Sequence, residues 1–159
     1  MLAVGDKAPE IDAASTSGAH VVLSALKKPF VVVYFFPKAF TSDCTREAAL
    51  FRDNYAELQL VGSEVIGIST DDLETQCKFA DEMKVPFPMI ADADKKISAA
   101  YDVLWPVVGV AHRVTFVIDR SAMTILAIFK HELSAEKHRD DVLLFLDDLY
   151  QKRRSSLRP

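Results

Sequence analysis

A chain of 159 residues, half of them hydrophobic, is long enough to bury one sizeable core and too short for two ordinary domains, so a single domain over residues 1–159 is expected. The net charge is −4 and the basic residues are scattered apart from Lys152-Arg153-Arg154, which argues against a phosphate-tracking surface and against nucleic acid as a partner. No apolar run approaches bilayer-spanning length and Met1 to Lys7 lacks a basic-then-apolar leader pattern, so a cytoplasmic protein without membrane contact is expected.

After a polar opening segment, Pro29 precedes Phe30-Val31-Val32-Val33-Tyr34-Phe35-Phe36, a continuous β-branched and aromatic run that fits a strand buried on both faces, and Pro37 ends it. Cys44, Ala48, Phe51, Tyr55 and Leu58 then fall on one face of a single helix, with Cys44 on the inward stripe in the first turn. Ser63 to Ser69 reads as a second buried strand. Asp71 or Asp72 is a cap for a helix running to about Met83 and carrying Cys77. Pro86-Phe87-Pro88-Met89-Ile90 is extended because proline biases its predecessor away from helix, and Lys95 to Tyr101 reads as a short helix. Val114 to Ile118 and Met123 to Phe129, separated by Asp119-Arg120-Ser121-Ala122, make an antiparallel hairpin. A last amphipathic helix from about Ala135 to Lys152 buries Val142, Leu143, Phe145, Leu146 and Leu149. This order implies an α/β fold, a mixed sheet with helices on both faces.

Only two cysteines occur, Cys44 and Cys77, and without an export signal a purely structural disulfide is the less expected use of them. A lone cysteine is often a small buried hydrophobe, and context decides. Cys44 opens a helix at the carboxyl end of a buried strand, where α/β sheets place ligands. First-turn amide N–H groups lack internal partners and lie at the positive end of the helix dipole, which favours thiolate over thiol. Thr41 stands three residues earlier, where its hydroxyl caps the helix, offers a hydrogen bond to an acceptor near the sulfur, or does both. Pro37 either ends the strand or also shields the pocket.

Together, Tyr34-Phe35-Phe36-Pro37-Lys38-Ala39-Phe40-Thr41-Ser42-Asp43-Cys44-Thr45-Arg46-Glu47 resembles the active-site segment of peroxiredoxins, whose signature is P-x-x-x-T-x-x-C. The resemblance extends through Val4-Gly5-Asp6-Lys7-Ala8-Pro9, Ile68-Ser69-Thr70-Asp71, Pro86 to Asp92 and Arg113 to Asp119. It is similar to the bacterioferritin-comigratory (peroxiredoxin Q) group and, around Gly109 to Arg113, to the one-cysteine alkyl hydroperoxide reductase E group. The resemblance implies a thioredoxin-like fold and a thiol peroxidase without haem, flavin or metal. Cys44 would be the peroxidatic nucleophile and Pro37, Thr41 and Arg113 its supporting residues. A guanidinium beside the sulfur stabilises thiolate and holds a peroxide oxygen. Glu47 matches an acidic position of the peroxiredoxin Q group, where it braces the arginine; from the sequence alone a surface carboxylate in a first helical turn fits as well. The implied partners are a hydroperoxide and thioredoxin or a similar thiol reductant, with the protein a monomer or homodimer.

The pattern is broken in two places. The position five residues after Cys44, where many peroxiredoxin Q proteins hold the resolving cysteine, is Ala49, which leaves Cys77 as the expected resolving thiol or a packed, inert one. Ser42-Asp43 stands where proline-glycine is common, and Asp43 opposes a thiolate if it turns inward. His112 adjoins Arg113 and is expected at the pocket mouth, whereas His20, His131 and His138 have no partner at metal-ligand spacing. The alternatives are a thioredoxin-like disulfide oxidoreductase, which wants C-x-x-C where position 47 is glutamate, and a non-catalytic binding or chaperone module of the same fold.

Overall fold

The structure, a computed structural model, describes residues 2–130 and 135–156; His131 lies outside them, as does the side chain of His138. In chain order the elements are β1 (Asp12–Ala14), β2 (His20–Val22), β3 (Phe30–Phe35), α1 (Ser42–Asp53), α2 (Tyr55–Leu60), β4 (Ser63–Ser69), α3 (Leu73–Met83), β5 (Met89–Ala91), α4 (Lys96–Ala100), β6 (Val114–Asp119), β7 (Thr124–Phe129) and α5 (Ala135–Ser156). Among the described residues no helix is long and apolar enough to cross a membrane.

Strand β3 is central in a five-stranded sheet of order β5-β4-β3-β6-β7. It pairs in parallel with β4 (Phe30↔Ser63 to Phe35↔Ile68) and antiparallel with β6 (Phe30↔Asp119 to Phe35↔Val114). Parallel neighbours need a crossover, supplied by α1 with α2 between β3 and β4 and by α3 between β4 and β5. Every residue of β3 is buried, and its two faces feed separate apolar layers. Phe30, Val32, Tyr34 and Phe36 pack with Cys44, Ala48 and Phe51 of α1, Leu58 of α2, Phe79 of α3 and Val142 and Leu146 of α5. Val31, Val33 and Phe35 pack with Ile11, Val21, Leu23, Tyr101, Val103 and Phe116. The strand is apolar without alternation because both of its faces are covered.

The elements differ from expectation at several points. The polar opening segment folds: β1 and β2 form a small antiparallel hairpin, tied to β5 by Thr16 N–H to Met89 O (2.9 Å) and Met89 N–H to Thr16 Oγ1 (3.1 Å). Its inward residues Ile11, Val21 and Leu23 cover the second face beside α4, so that face is closed by chain with little helix. The single helix expected from Cys44 to Leu58 breaks at Asn54 (φ −108°, ψ 8°), whose side-chain amide donates to Leu50 O at 2.8 Å. The inward stripe survives the break, because Cys44, Ala48, Phe51 and Leu58 are all buried and Tyr55 packs against them. Asp72, rather than Asp71, caps α3 by accepting from Thr75 N–H at 2.7 Å. Strand β7 starts at Thr124, since Met123 sits in the turn at φ 51°, and α5 continues past Lys152 to Ser156.

One glycine is required by space. Gly67, opposite Tyr34 in the β3–β4 register, would place a Cβ 2.9 Å from Cζ and Oη of the Tyr34 ring. That ring cannot give way: it is fully buried, stacked on Phe51 at 4.6 Å and Phe36 at 5.5 Å, and edged by Phe87 at 6.0 Å. Gly67→Ala is expected to lower stability by about 1–3 kcal/mol in equilibrium denaturation. A variant as stable as the parent would show that the aromatic layer yields.

Candidate active site

Beyond β3 the chain turns at Pro37, runs through Lys38 to Thr41 and enters α1. This turn is held from outside itself. Ala39 N–H donates to Asp71 Oδ2 (2.8 Å), the same oxygen that receives the Ser69 hydroxyl (2.6 Å), and the Phe40 ring meets the Phe79 ring of α3 edge-on at 5.2 Å. Phe40 adopts φ 67°, a left-handed conformation that is rare for an aromatic residue and marks a backbone position set by its surroundings. Pro37 is half-buried at the start of the turn. Thr41 occupies the N-cap of α1, and its carbonyl accepts from Thr45 N–H at 2.9 Å. Its hydroxyl does not cap the helix as expected; it donates to Lys38 O at 2.8 Å, closing the turn on itself.

Cys44 is 1% exposed in the first turn of α1. The antiparallel register sets Val114 opposite Phe35, so Arg113 emerges at the same end of the sheet as the turn. Its guanidinium forks: Nη2 donates to Cys44 Sγ at 3.3 Å and Nη1 to Glu47 Oε1 at 2.7 Å. Glu47 lies one turn along α1 from Cys44 and is 1% exposed, so the surface-carboxylate alternative is wrong and the carboxylate is part of the buried cluster. Side chains three positions apart share a helical face, which is why sulfur and carboxylate reach the same cation.

Burial pushes the Glu47 carboxyl up to about 7, against the pull of Arg113 and its hydrogen bond and with a contribution from Asp43. For Arg113, burial opposes the charge, but Glu47 and Cys44 outweigh it and hold the guanidinium above its ordinary range. Tyr34 belongs to this cluster although sequence reasoning did not single it out. Burial, followed by the charges of Glu47 and Cys44, raises its phenol well above the usual tyrosine range, so the hydroxyl is neutral. Neither Tyr34 Oη nor Glu47 Oε2 has a hydrogen-bond partner among the described residues. The signal was available: strand parity puts Tyr34 on the face that carries Phe36 and receives α1.

Other expected residues lie apart from this cluster. Asp43 is exposed, so its carboxylate turns to solvent. His112 is not at the mouth of the Cys44 pocket. It stacks on Trp105 (4.2 Å, 28°) and lines a cavity of about 200 Å³ with Tyr101, Val103, Val114 and Phe116 on the second face of the sheet, because alternate residues at the start of β6 face opposite ways. His20 pairs with Asp12 across the hairpin surface. Cys77 is half-buried on α3, next to Gln76, which donates to Ile90 O at 2.8 Å and accepts from Ser69 at 3.2 Å. Both cysteines are free thiols, and no described contact joins them.

A buried sulfur at a helix start, touched by a guanidinium that a carboxylate holds in place, is equipped to carry a thiolate and to bind an oxygen arriving beside it. The comparisons agree with that chemistry. The family described as the AhpC/TSA family matches residues 4–126. A chloroplastic peroxiredoxin Q of Suaeda salsa is 35% identical over 146 residues, covering 91% of this chain and 68% of the relative. Among solved structures, the peroxidoxin BcpB of Mycobacterium tuberculosis matches with a TM-score of 0.84 at 31% identity over 100% of both chains. A yeast mitochondrial 1-Cys peroxiredoxin, whose thiol resolving mechanism is described as proceeding via glutathione/thioredoxin systems, matches with a TM-score of 0.82 at 26% identity, over 97% of this chain and 79% of that one. Pro37, Thr41, Cys44, Glu47 and Arg113 all fall inside the matched family span, and the chain belongs to the AhpC/TSA family: it is a peroxiredoxin, a cysteine peroxidase of the thioredoxin fold.

Proposed function

We propose that Cys44 is the peroxidatic cysteine of this thiol peroxidase, acting on hydrogen peroxide and organic hydroperoxides, and that Arg113, Thr41, Pro37 and Glu47 serve it. The observation that carries the reading is the Arg113 fork, with Nη2 3.3 Å from Cys44 Sγ and Nη1 2.7 Å from Glu47 Oε1. In the step itself the Cys44 thiolate attacks the terminal peroxide oxygen; an S–O bond forms, the O–O bond breaks, and the departing oxygen leaves as water or alcohol after taking a proton. Arg113 stabilises the thiolate beforehand and the charge developing on the oxygens during transfer. The Thr41 hydroxyl, whose hydrogen is engaged by Lys38 O, has lone pairs left to accept a hydrogen bond from the peroxide O–H. Pro37, at the start of the turn, limits access of a second peroxide to the sulfenic acid.

Cys77 is the resolving thiol in this reading, forming an intramolecular disulfide with Cys44 and releasing water, after which thioredoxin or a similar dithiol restores both thiols. Disulfide geometry needs the two Cα atoms within about 7 Å. Cys44 lies in a terminal turn and Cys77 inside the continuous helix α3, so the start of α1 is the segment that unwinds. One catalytic unit over residues 1–159, monomeric or homodimeric and cytoplasmic, completes the proposal.

Cys44→Ser is expected to abolish peroxide consumption and leave the fold intact, since a hydroxyl keeps the packing and forms no thiolate; turnover surviving in that variant would overturn the assignment. Arg113→Met is expected to slow sulfenate formation about 100-fold or more and to move the pH profile of Cys44 alkylation to higher pH. An unmoved profile would remove Arg113 from the mechanism. Peroxide-treated protein should run as a single chain without a disulfide-linked dimer, lighter by two hydrogens, with Cys44 and Cys77 peptides linked and faster hydrogen exchange around residues 41 to 50. A trappable sulfenate on Cys44 beside an alkylatable Cys77 would mean that an outside thiol resolves the enzyme.

A further inference from the structure

Arg113 brings one positive charge to two groups that can each become an anion. Its two terminal nitrogens reach Cys44 Sγ at 3.3 Å and Glu47 Oε1 at 2.7 Å, and the exposures of the three residues are 7%, 1% and 1%. In a pocket this dry, a thiolate and a carboxylate together leave one negative charge without a counterion, which burial makes costly. Retaining one proton makes the cluster neutral. That proton has two possible seats, the sulfur or the carboxyl. On the carboxyl the available atom is Oε2, because Oε1 accepts from Arg113 while Oε2 is buried with no partner among the described residues. A carboxylic acid protonated there keeps its bond to the guanidinium and leaves the second arm of the fork with a thiolate.

We propose that Glu47 and Cys44 share one proton across Arg113, so that the thiolate form of Cys44 is accompanied by a Glu47 carboxylic acid with its proton on Oε2. Glu47 is then a positioning residue that also ties thiolate formation to its own protonation. The inference rests on Cys44 being the nucleophile. The groups facing Glu47 agree with it: Asp43 on α1 adds negative charge from the surface, Tyr34 from β3 presents a neutral phenol, and Arg113 precedes β6 as the cation. Burial holds the Glu47 carboxyl at about 7, where a proton is exchanged near neutral pH. The chemistry balances with this proton included. A Cys44 thiolate, a Glu47 acid and a hydroperoxide give a Cys44 sulfenic acid, a Glu47 carboxylate and an alcohol, with one negative charge on each side. Once the sulfur is neutral, the carboxylate takes the guanidinium alone.

The experiment is the pH profile of Cys44 alkylation, read at the Cys44 peptide by mass spectrometry, in the parent and in Glu47→Gln. Glutamine keeps a carbonyl oxygen for Arg113 and cannot ionise. The parent profile is expected to be broad, in two overlapping steps, as coupled sites titrate, and the variant profile to be a single step displaced to lower pH by about one unit. A profile of unchanged shape and position, or one displaced to higher pH, would mean that Glu47 only braces the arginine. A second measurement needs no variant: difference infrared spectra of the parent before and after one equivalent of hydroperoxide should lose the carbonyl band of a buried carboxylic acid, and a spectrum without that loss overturns the shared proton. If the Cys44 peptide is not oxidised at all, the peroxidase role of Cys44 fails; if it is oxidised normally with none of these signatures, only the shared proton does.

Discussion

The site is organised by a cation withdrawn from water. A guanidinium at 7% exposure is tolerated only where anions and acceptors replace its hydration, and Arg113 finds both on one face of α1, sulfur on one arm and carboxylate on the other. Removing one member of such a buried pair leaves the other uncompensated and costs about 3–5 kcal/mol in general, which couples the chemistry of the pocket to the stability of the α1–sheet packing. The cation reaches the pocket through the antiparallel β3–β6 register, which brings the residue before β6 to the end of β3. A slip of one residue would send Arg113 to the opposite face, among Val114 and Phe116.

The turn between β3 and α1 is held by groups distant in sequence. Asp71, from the loop after β4, accepts the Ala39 N–H and is itself fixed by the Ser69 hydroxyl, while Gln76 on α3 links Ser69 to the carbonyl of Ile90 in β5. This chain of hydrogen bonds joins the turn to β4 and β5 of the sheet. Against it stand a left-handed aromatic residue at Phe40 and the first-turn amides of α1, which have no partner further along the helix. The turn is therefore positioned by groups outside itself while it carries a strained backbone at Phe40.

The two faces of the sheet have different work. One carries α1, α2, α3 and α5 and encloses the Cys44–Arg113–Glu47 cluster over an aromatic layer of Tyr34, Phe36, Phe51 and Phe79. The other is sealed by the β1–β2 hairpin and α4 and contains the His112 cavity, walled off from Cys44 by β3 and β6. Tyr34 belongs to the first face twice over, as a ring that requires Gly67 to be glycine and as a neutral phenol in the electrostatic environment of Glu47 and Cys44.

Local patterns carry much of this in the sequence alone. The continuous apolar run from Phe30 to Phe36 determined a strand buried on both sides, the inward stripe beginning at Cys44 determined which face of α1 meets the sheet, and the Pro37–Thr41–Cys44 spacing named the family, because each rests on residues close in sequence. Tertiary structure decided what depends on distant partners. Whether Glu47 was a surface carboxylate or a buried one hinged on Arg113, sixty-six positions away. The Thr41 hydroxyl turned back to Lys38 because the turn closed around it, and His112 left the pocket because strand parity put its neighbour Arg113 there instead. The break at Asn54 was hidden because both halves keep the same apolar stripe, and the β1–β2 hairpin because its strands are three residues long and are stabilised by the second face of the sheet they cover. Periodicity reports which side of an element is dry; only the assembled sheet determines which charges must meet there.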